Sequence, residues 1–241
     1  MARSFVLAPL PMRALLLMLT TVAVSAQTPL SYDGSWTDSA SGQAAVVLPE
    51  GYGDLDRQWP LLIFLHGAGE RGSDLDLAVT HGPIKERRQG RDLPFVIVAP
   101  QVPEGGRWTV GRVAAALDAA METYRIDESR VYITGLSMGG FGTWEAIERM
   151  PERFAAAVAI CGGGNPIGLA AARDVPVWAF HGDADTVVPL AASAWMVRTL
   201  EAAGGDVRFT VYPGVGHDSW SETYANPEVY EWLLSHALED E

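Results

Sequence analysis

The sequence predicts an α/β protein: one mostly parallel central sheet with helices on both faces, spanning residues 27–241. Three observations predict it. Apolar runs of strand length recur along the chain, amphipathic helical periods separate them, and no repeat or low-complexity linker divides them into a second domain. Ala44 to Leu48 opens the series as an antiparallel strand at one end of the sheet. Leu61 to Leu65 (LLIFL), Phe95 to Ala99 (FVIVA), Val131 to Thr134, Ala155 to Ile160 and Val175 to Phe180 (VPVWAF) follow. Their nearly unbroken hydrophobicity demands burial on both faces, so they are read as central parallel strands. Val207 to Tyr212 instead alternates apolar with polar residues and suits a place nearer the edge. Val110, Val113, Ala114, Leu117, Met121 and Tyr124 share one helical stripe, as do Leu190, Ala194, Val197 and Leu200. The second stripe has Pro189 at its start and Gly204 past its end. A last helix is expected from Asn226-Pro227 to about Ala237.

Ahead of this domain, residues 1–26 carry Arg3 and Arg13, an apolar run Ala14 to Val24 and a small-residue Val-Ser-Ala end. That order is the pattern of a secretory signal peptide, so a secreted or periplasmic protein is expected. The run is shorter than the roughly 20 residues of a membrane span, and none is expected elsewhere. A net charge of −13 repels phosphate backbones and disfavours nucleic-acid partners. The basic cluster Lys85 to Arg91 is read as a solvated helix end. Cys161 is alone in the sequence, which leaves no intrachain disulfide and points to a small buried thiol.

The chemistry is concentrated in four loop motifs. In Gly135-Leu-Ser-Met-Gly139, Ser137 lies where a strand gives way to a helix, and small residues on either side leave room for the tight turn. With 25 glycines in the chain this pattern alone is weak. His181-Gly-Asp-Ala-Asp185 follows one predicted strand and Gly214-Val-Gly-His217 follows the next. Serine, aspartate and histidine therefore come to successive strand ends in one chain order. A serine hydroxyl is a poor nucleophile at neutral pH; it needs a base, and the base needs a carboxylate that fixes its tautomer. Ser137, His217 and Asp185 are assigned those roles, with Asp185 favoured over Asp183, the latter expected to brace its own turn. Asp218 and His66 are read as structural, and His236 as a surface residue. The oxyanion would be held by the backbone N–H of Met138 and of Ala68, with Gly67 as the alternative, in the loop His66-Gly-Ala-Gly-Glu-Arg-Gly72. The histidines show no metal-ligand spacing, so neither a metal nor another cofactor is expected.

With HGAGERG, GLSMGG, HGDADTVVP and GVGHDSW in order, the chain resembles the serine-esterase branch of the α/β-hydrolase superfamily over about residues 44–238. Within it the chain is most similar to the phospholipase/carboxylesterase, dienelactone hydrolase and polyhydroxybutyrate depolymerase or feruloyl esterase-like group. Serine replaces the cysteine nucleophile of dienelactone hydrolases proper. The resemblance implies an α/β-hydrolase fold, a Ser137, Asp185, His217 triad and an Ala68, Met138 oxyanion hole. Lids in this superfamily enter where this chain has only the short link Cys161 to Asp174, so no cap domain is expected and the site should be open. Trp108 and Trp220 are candidate walls for a sugar or phenolic group, and His81-Gly-Pro83 a candidate part of the rim. The reading is an exported carboxylesterase acting on a small or polymer-attached ester, such as an acetyl or feruloyl ester of polysaccharide. Its rivals are a serine peptidase of the same fold and a catalytically silent binding domain.

Overall fold

Alternate side chains of each central strand enter two separate cores, and that division shapes the molecule. The computed structural model describes residues 29–33, 41–54 and 56–239; the expected signal segment at 1–26 lies outside them. Eight strands form one sheet: β1 (Leu30–Tyr32), β2 (Gly42–Val47), β3 (Trp59–Leu65), β4 (Val96–Pro100), β5 (Ile126–Leu136), β6 (Ala156–Ile160), β7 (Val177–Gly182) and β8 (Val207–Tyr212). Their order is β1-β2-β4-β3-β5-β6-β7-β8; β2 runs antiparallel to both of its neighbours, β1 and β4, and the remaining pairings are parallel. In β3, Leu61, Ile63 and Leu65 face one core and Leu62 and Phe64 the other; in β7, Val177 and Ala179 oppose Trp178 and Phe180 in the same way. The period of two in a pleated strand is the cause.

Helices cover both faces. α1 (Leu75–Ala78) and α2 (Gly82–Arg88) precede β4, and α3 (Val110–Thr123) follows it. Beyond β5 come α4 (Met138–Arg149), α5 (Leu190–Ala202), α6 (Trp220–Ala225) and α7 (Pro227–Leu234). Val113 and Leu117 of α3, Trp144 of α4 and Leu200 of α5 pack on one face, whereas Ile84 of α2, Tyr224 of α6 and Trp232 of α7 pack on the other. Thr109 caps α3 by accepting from the Arg112 N–H, and Asn226 caps α7 by accepting from the Glu228 N–H.

The doubly wound sheet is as expected, including the antiparallel β2 and the edge position of β8. Four details differ. β1 adds a further strand, too short at three residues to show a period. α6 occupies a stretch for which no element is expected, and α7 ends at Leu234 instead of Ala237. The Lys85 to Arg91 cluster does end a helix, yet it is tied down more than a solvated end would be. Arg91 pairs with Glu86 at 3.2 Å and donates to the Ala225 carbonyl at 2.7 Å, fastening α2 to α6.

Candidate active site

Ser137 stands between β5 and α4 at φ 51° and ψ −116°, a left-handed conformation that costs a non-glycine residue on the order of 1–2 kcal/mol. The strand and the helix hold it there: the Ser137 N–H donates to the Ile160 carbonyl and the Phe141 N–H to the Ser137 carbonyl, each at 3.0 Å. A Cβ on Gly139 would overlap the Leu65 carbonyl, and one on Gly135 would overlap the Gly139 carbonyl. Only glycine lets α4 leave the sheet this closely. The hydroxyl is thereby aimed outward at the carboxyl ends of the parallel strands, where such sheets place their ligands.

The loops after β7 and β8 bring the partners. His217 Nε2 lies 2.9 Å from Ser137 Oγ, and its Nδ1 lies 2.7 Å from Asp185 Oδ2. A carboxylate only accepts, so Nδ1 carries the proton and Nε2 is left as the acceptor facing the serine hydroxyl. The Asp185 side chain has no exposed surface, while His217 keeps 19 % of its own. Burial by itself raises the Asp185 carboxyl. Donation from His217 and from the Val188 and Val187 N–H groups outweighs it and holds the carboxyl below its ordinary value.

Asp183 bonds elsewhere: its Oδ1 accepts from the Gly214 N–H at 2.6 Å, which ties the two loops together across the chain instead of bracing its own turn. Asp218 accepts from the Ser221 N–H, a local role in keeping with the structural reading. Sequence reasoning missed His181. Fully buried, it places Nε2 at 2.9 Å from the Val188 carbonyl and 3.2 Å from Asp185 Oδ2, while Nδ1 meets Ser193 Oγ at 2.7 Å. Its position heading the HGDAD motif was the available signal.

On the other side of Ser137 runs the loop after β3. A Cβ on Gly67 would collide with Leu136 and Glu70 and come within 3.7 Å of the Ser137 Cβ, so the backbone passes very near the hydroxyl. Ala68 opens a short 3-10 helix, Ala68–Glu70, and Met138 opens α4. The first N–H groups of a helix have no partner within it, and among the described residues neither the Ala68 nor the Met138 N–H donates to another backbone carbonyl. Arg71 fastens the loop by donating to the Gly106 carbonyl at 2.6 Å, and its other end reaches Met138 Sδ at 3.0 Å. Gln101, also missed because nothing in its local sequence marks it, donates to the Glu70 and Asp74 carbonyls.

His66 lies beneath. It is 1 % exposed, accepts from the Val102 N–H through Nε2 and reaches the Gly67 carbonyl through Nδ1. Burial pushes its pKa down to about 4, which keeps the ring neutral at physiological pH. Trp108 belongs to the same underlayer, and this corrects its expected place in a substrate wall. At 3 % exposure it donates Nε1–H to the His66 carbonyl and packs edge-on against the imidazole. A large apolar ring with one donor finds both needs met inside the fold. Trp220 does border the site: its ring centroid is 5.3 Å from that of His217 and 5.5 Å from that of His81. His236 packs on Trp232 just past α7. Cys161 is buried next to the serine turn, and burial pushes its thiol up to about 12, so it stays protonated.

The sequence model of the dienelactone hydrolase family matches residues 97–230. The chain belongs to the dienelactone hydrolase family. This family member is also 33 % identical over 137 residues to a bifunctional acetylxylan esterase/xylanase, XynS20E, of Neocallimastix patriciarum, a match covering 54 % of the chain and 20 % of that protein. Among solved structures, a thermostable esterase is 36 % identical with a TM-score of 0.79, over 89 % of the chain and 64 % of that structure. A feruloyl esterase module from Clostridium thermocellum, solved with sinapinate, has a TM-score of 0.63 at 18 % identity over 86 % of each chain, a likeness of fold. The sheet order, the helices on both faces and these neighbours make the architecture an α/β-hydrolase. The chain spans a fifth of the acetylxylan esterase/xylanase and just under two thirds of the thermostable esterase.

Proposed function

We propose that this chain is an exported serine carboxylesterase that forms an acyl-enzyme on Ser137. The observation that carries the reading is the single imidazole that spans Ser137 Oγ at 2.9 Å and the buried Asp185 carboxylate at 2.7 Å. As Ser137 Oγ attacks the ester carbonyl carbon, its proton passes to His217 Nε2, and Asp185 stabilises the resulting imidazolium. The Met138 and Ala68 N–H groups receive the oxyanion. On collapse the C–O bond to the alcohol breaks and His217 returns the proton to that oxygen. A water then repeats the sequence on the acyl-enzyme and releases the acid, regenerating Ser137. The names of the acetylxylan and thermostable esterase relatives support an ester substrate, and a site over which the described residues form no cap domain suits an acyl group carried on something large, such as an acetyl or feruloyl ester of polysaccharide. The charge order of residues 1–26 supports export.

Purified protein should hydrolyse p-nitrophenyl acetate, and Ser137→Ala should abolish this with the fold intact. Matched ester and amide substrates separate an esterase from a peptidase, with ester turnover expected to dominate. Full activity in Ser137→Ala, or faster amide cleavage, would overturn the assignment.

A further inference from the structure

Beside the serine turn the molecule carries a second concavity, which the chemistry above does not use. A cleft of about 870 Å³ runs between α4, the start of α3 and the loop after β6, lined by Phe141, Glu145 and Arg149 on one side and by Arg107 and Asn165 on the others. Its volume falls in the range of ligand pockets, roughly 300–1,000 Å³. It begins close to the nucleophile: Phe141 donates its N–H to the Ser137 carbonyl, one helical turn from the hydroxyl. From Phe141 to Arg149, α4 advances about 12 Å along the wall, at roughly 1.5 Å per residue.

The lining has an unusual balance. The chain as a whole carries −13, yet this cleft sets two guanidinium groups against the Glu145 and Glu148 carboxylates. Among the described residues none of these four side chains forms an ion pair within 4 Å, although opposite charges share one wall. Phe141, by contrast, leaves 40 % of its surface open. An apolar ligand would desolvate four charges without compensation, which is costly. An anionic one would meet two carboxylates, and a cationic one two guanidinium groups. A neutral polyol avoids both penalties: its hydroxyls both donate and accept, so each guanidinium and each carboxylate finds a partner, and the C–H face of a pyranose lies on an aromatic ring.

We infer that this cleft binds the saccharide part of the ester substrate, with Phe141 beneath a sugar ring and Arg107, Glu145 and Arg149 bonding its hydroxyls. The inference rests on the esterase reading for its purpose, though not for its binding. Trp220, which packs on His217 and His81, is not among the residues that line this cleft.

The test uses xylotriose as the probe and the Ser137→Ala chain, which cannot turn over an ester. Isothermal titration should show xylotriose binding, weakened about tenfold or more by adding Glu145→Ala, Arg149→Ala or Phe141→Ala, all at exposed positions. In the otherwise wild-type chain the same three substitutions should lower kcat/KM for acetylated xylo-oligosaccharide relative to p-nitrophenyl acetate by a similar factor. Thermal melting confirms that each variant is folded. No xylotriose binding, unchanged affinity in all three variants, or tighter binding of glucuronic acid than of the neutral sugar overturns the proposal. Persistence of p-nitrophenyl acetate hydrolysis in Ser137→Ala would instead refute the serine mechanism while xylotriose binding still stood.

Discussion

Replacing Asp185 with asparagine tests the site at its least visible member. The carboxylate accepts three hydrogen bonds, from His217 Nδ1 and from the Val187 and Val188 N–H groups. Asparagine keeps an oxygen for the two backbone donors, so the loop should hold its shape. Its amide N–H then faces His217 Nδ1, which must turn acceptor, and the imidazole proton moves to Nε2. There it confronts Ser137 Oγ at 2.9 Å and can no longer receive that group's proton. Charge stabilisation is lost as well. Coulomb's law at 2.7 Å with an effective dielectric of about 20 sets an upper limit of roughly 6 kcal/mol on what the carboxylate gives the imidazolium, about four decades in rate. Screening at the partly exposed His217 reduces this, and kcat for p-nitrophenyl acetate should fall about 10³- to 10⁴-fold with thermal stability little changed. Asp183→Asn is the companion variant, since Asp183 binds Gly214 and not the imidazole; its rate should stay within about tenfold of the parent. If Asp183→Asn lost the greater activity, or Asp185→Asn kept a tenth of it, the assignment of the acid would be wrong.

Other outcomes follow from the packing beneath the site. Gly139→Ala places a methyl group on the Leu65 and His66 carbonyls, backbone atoms that cannot step aside, and should destabilise the fold by about 3 kcal/mol or more in urea denaturation; an unchanged midpoint would contradict the close approach. His66 has a folded pKa of about 4 against 6.5 unfolded, so between those values the unfolded chain binds more protons. Its contribution is therefore fully present above pH 6.5 and declines as pH falls towards 4, by up to about 3 kcal/mol. Urea midpoints measured from pH 7 to 4 should show this decline, and His66→Gln should remove that part of the slope.

The central architecture is written in burial. β3, β4, β6, β7 and the part of β5 from Val131 on are covered on both faces, and a strand so covered has to be apolar at nearly every position, which makes it readable without knowledge of its neighbours. The candidate catalytic residues are legible for a related reason. Ser137 and Asp185 stand just past two such strands and His217 past the alternating edge strand β8, so finding the strand ends locates all three candidates together. What escapes is whatever depends on contacts distant in sequence. The amphipathic indole of Trp108 reads equally well as wall or as underlayer until His66 is seen beside it. Asp183 looks like a turn residue because its true partner, Gly214, is 31 positions away. His181 reaches Asp185 and Ser193 only through the curl of one loop and the approach of α5, and β1 gains its meaning from pairing with β2.

The central claim is that Ser137 carries the acyl group. Rapid quenching of the reaction with p-nitrophenyl acetate, followed by proteolysis and mass spectrometry, should find one acetyl group on the peptide containing Ser137, accumulating during a burst of p-nitrophenol. Asp185→Asn should slow its appearance. Acetylation at any other residue, or a burst without a modified Ser137 peptide, would contradict the account.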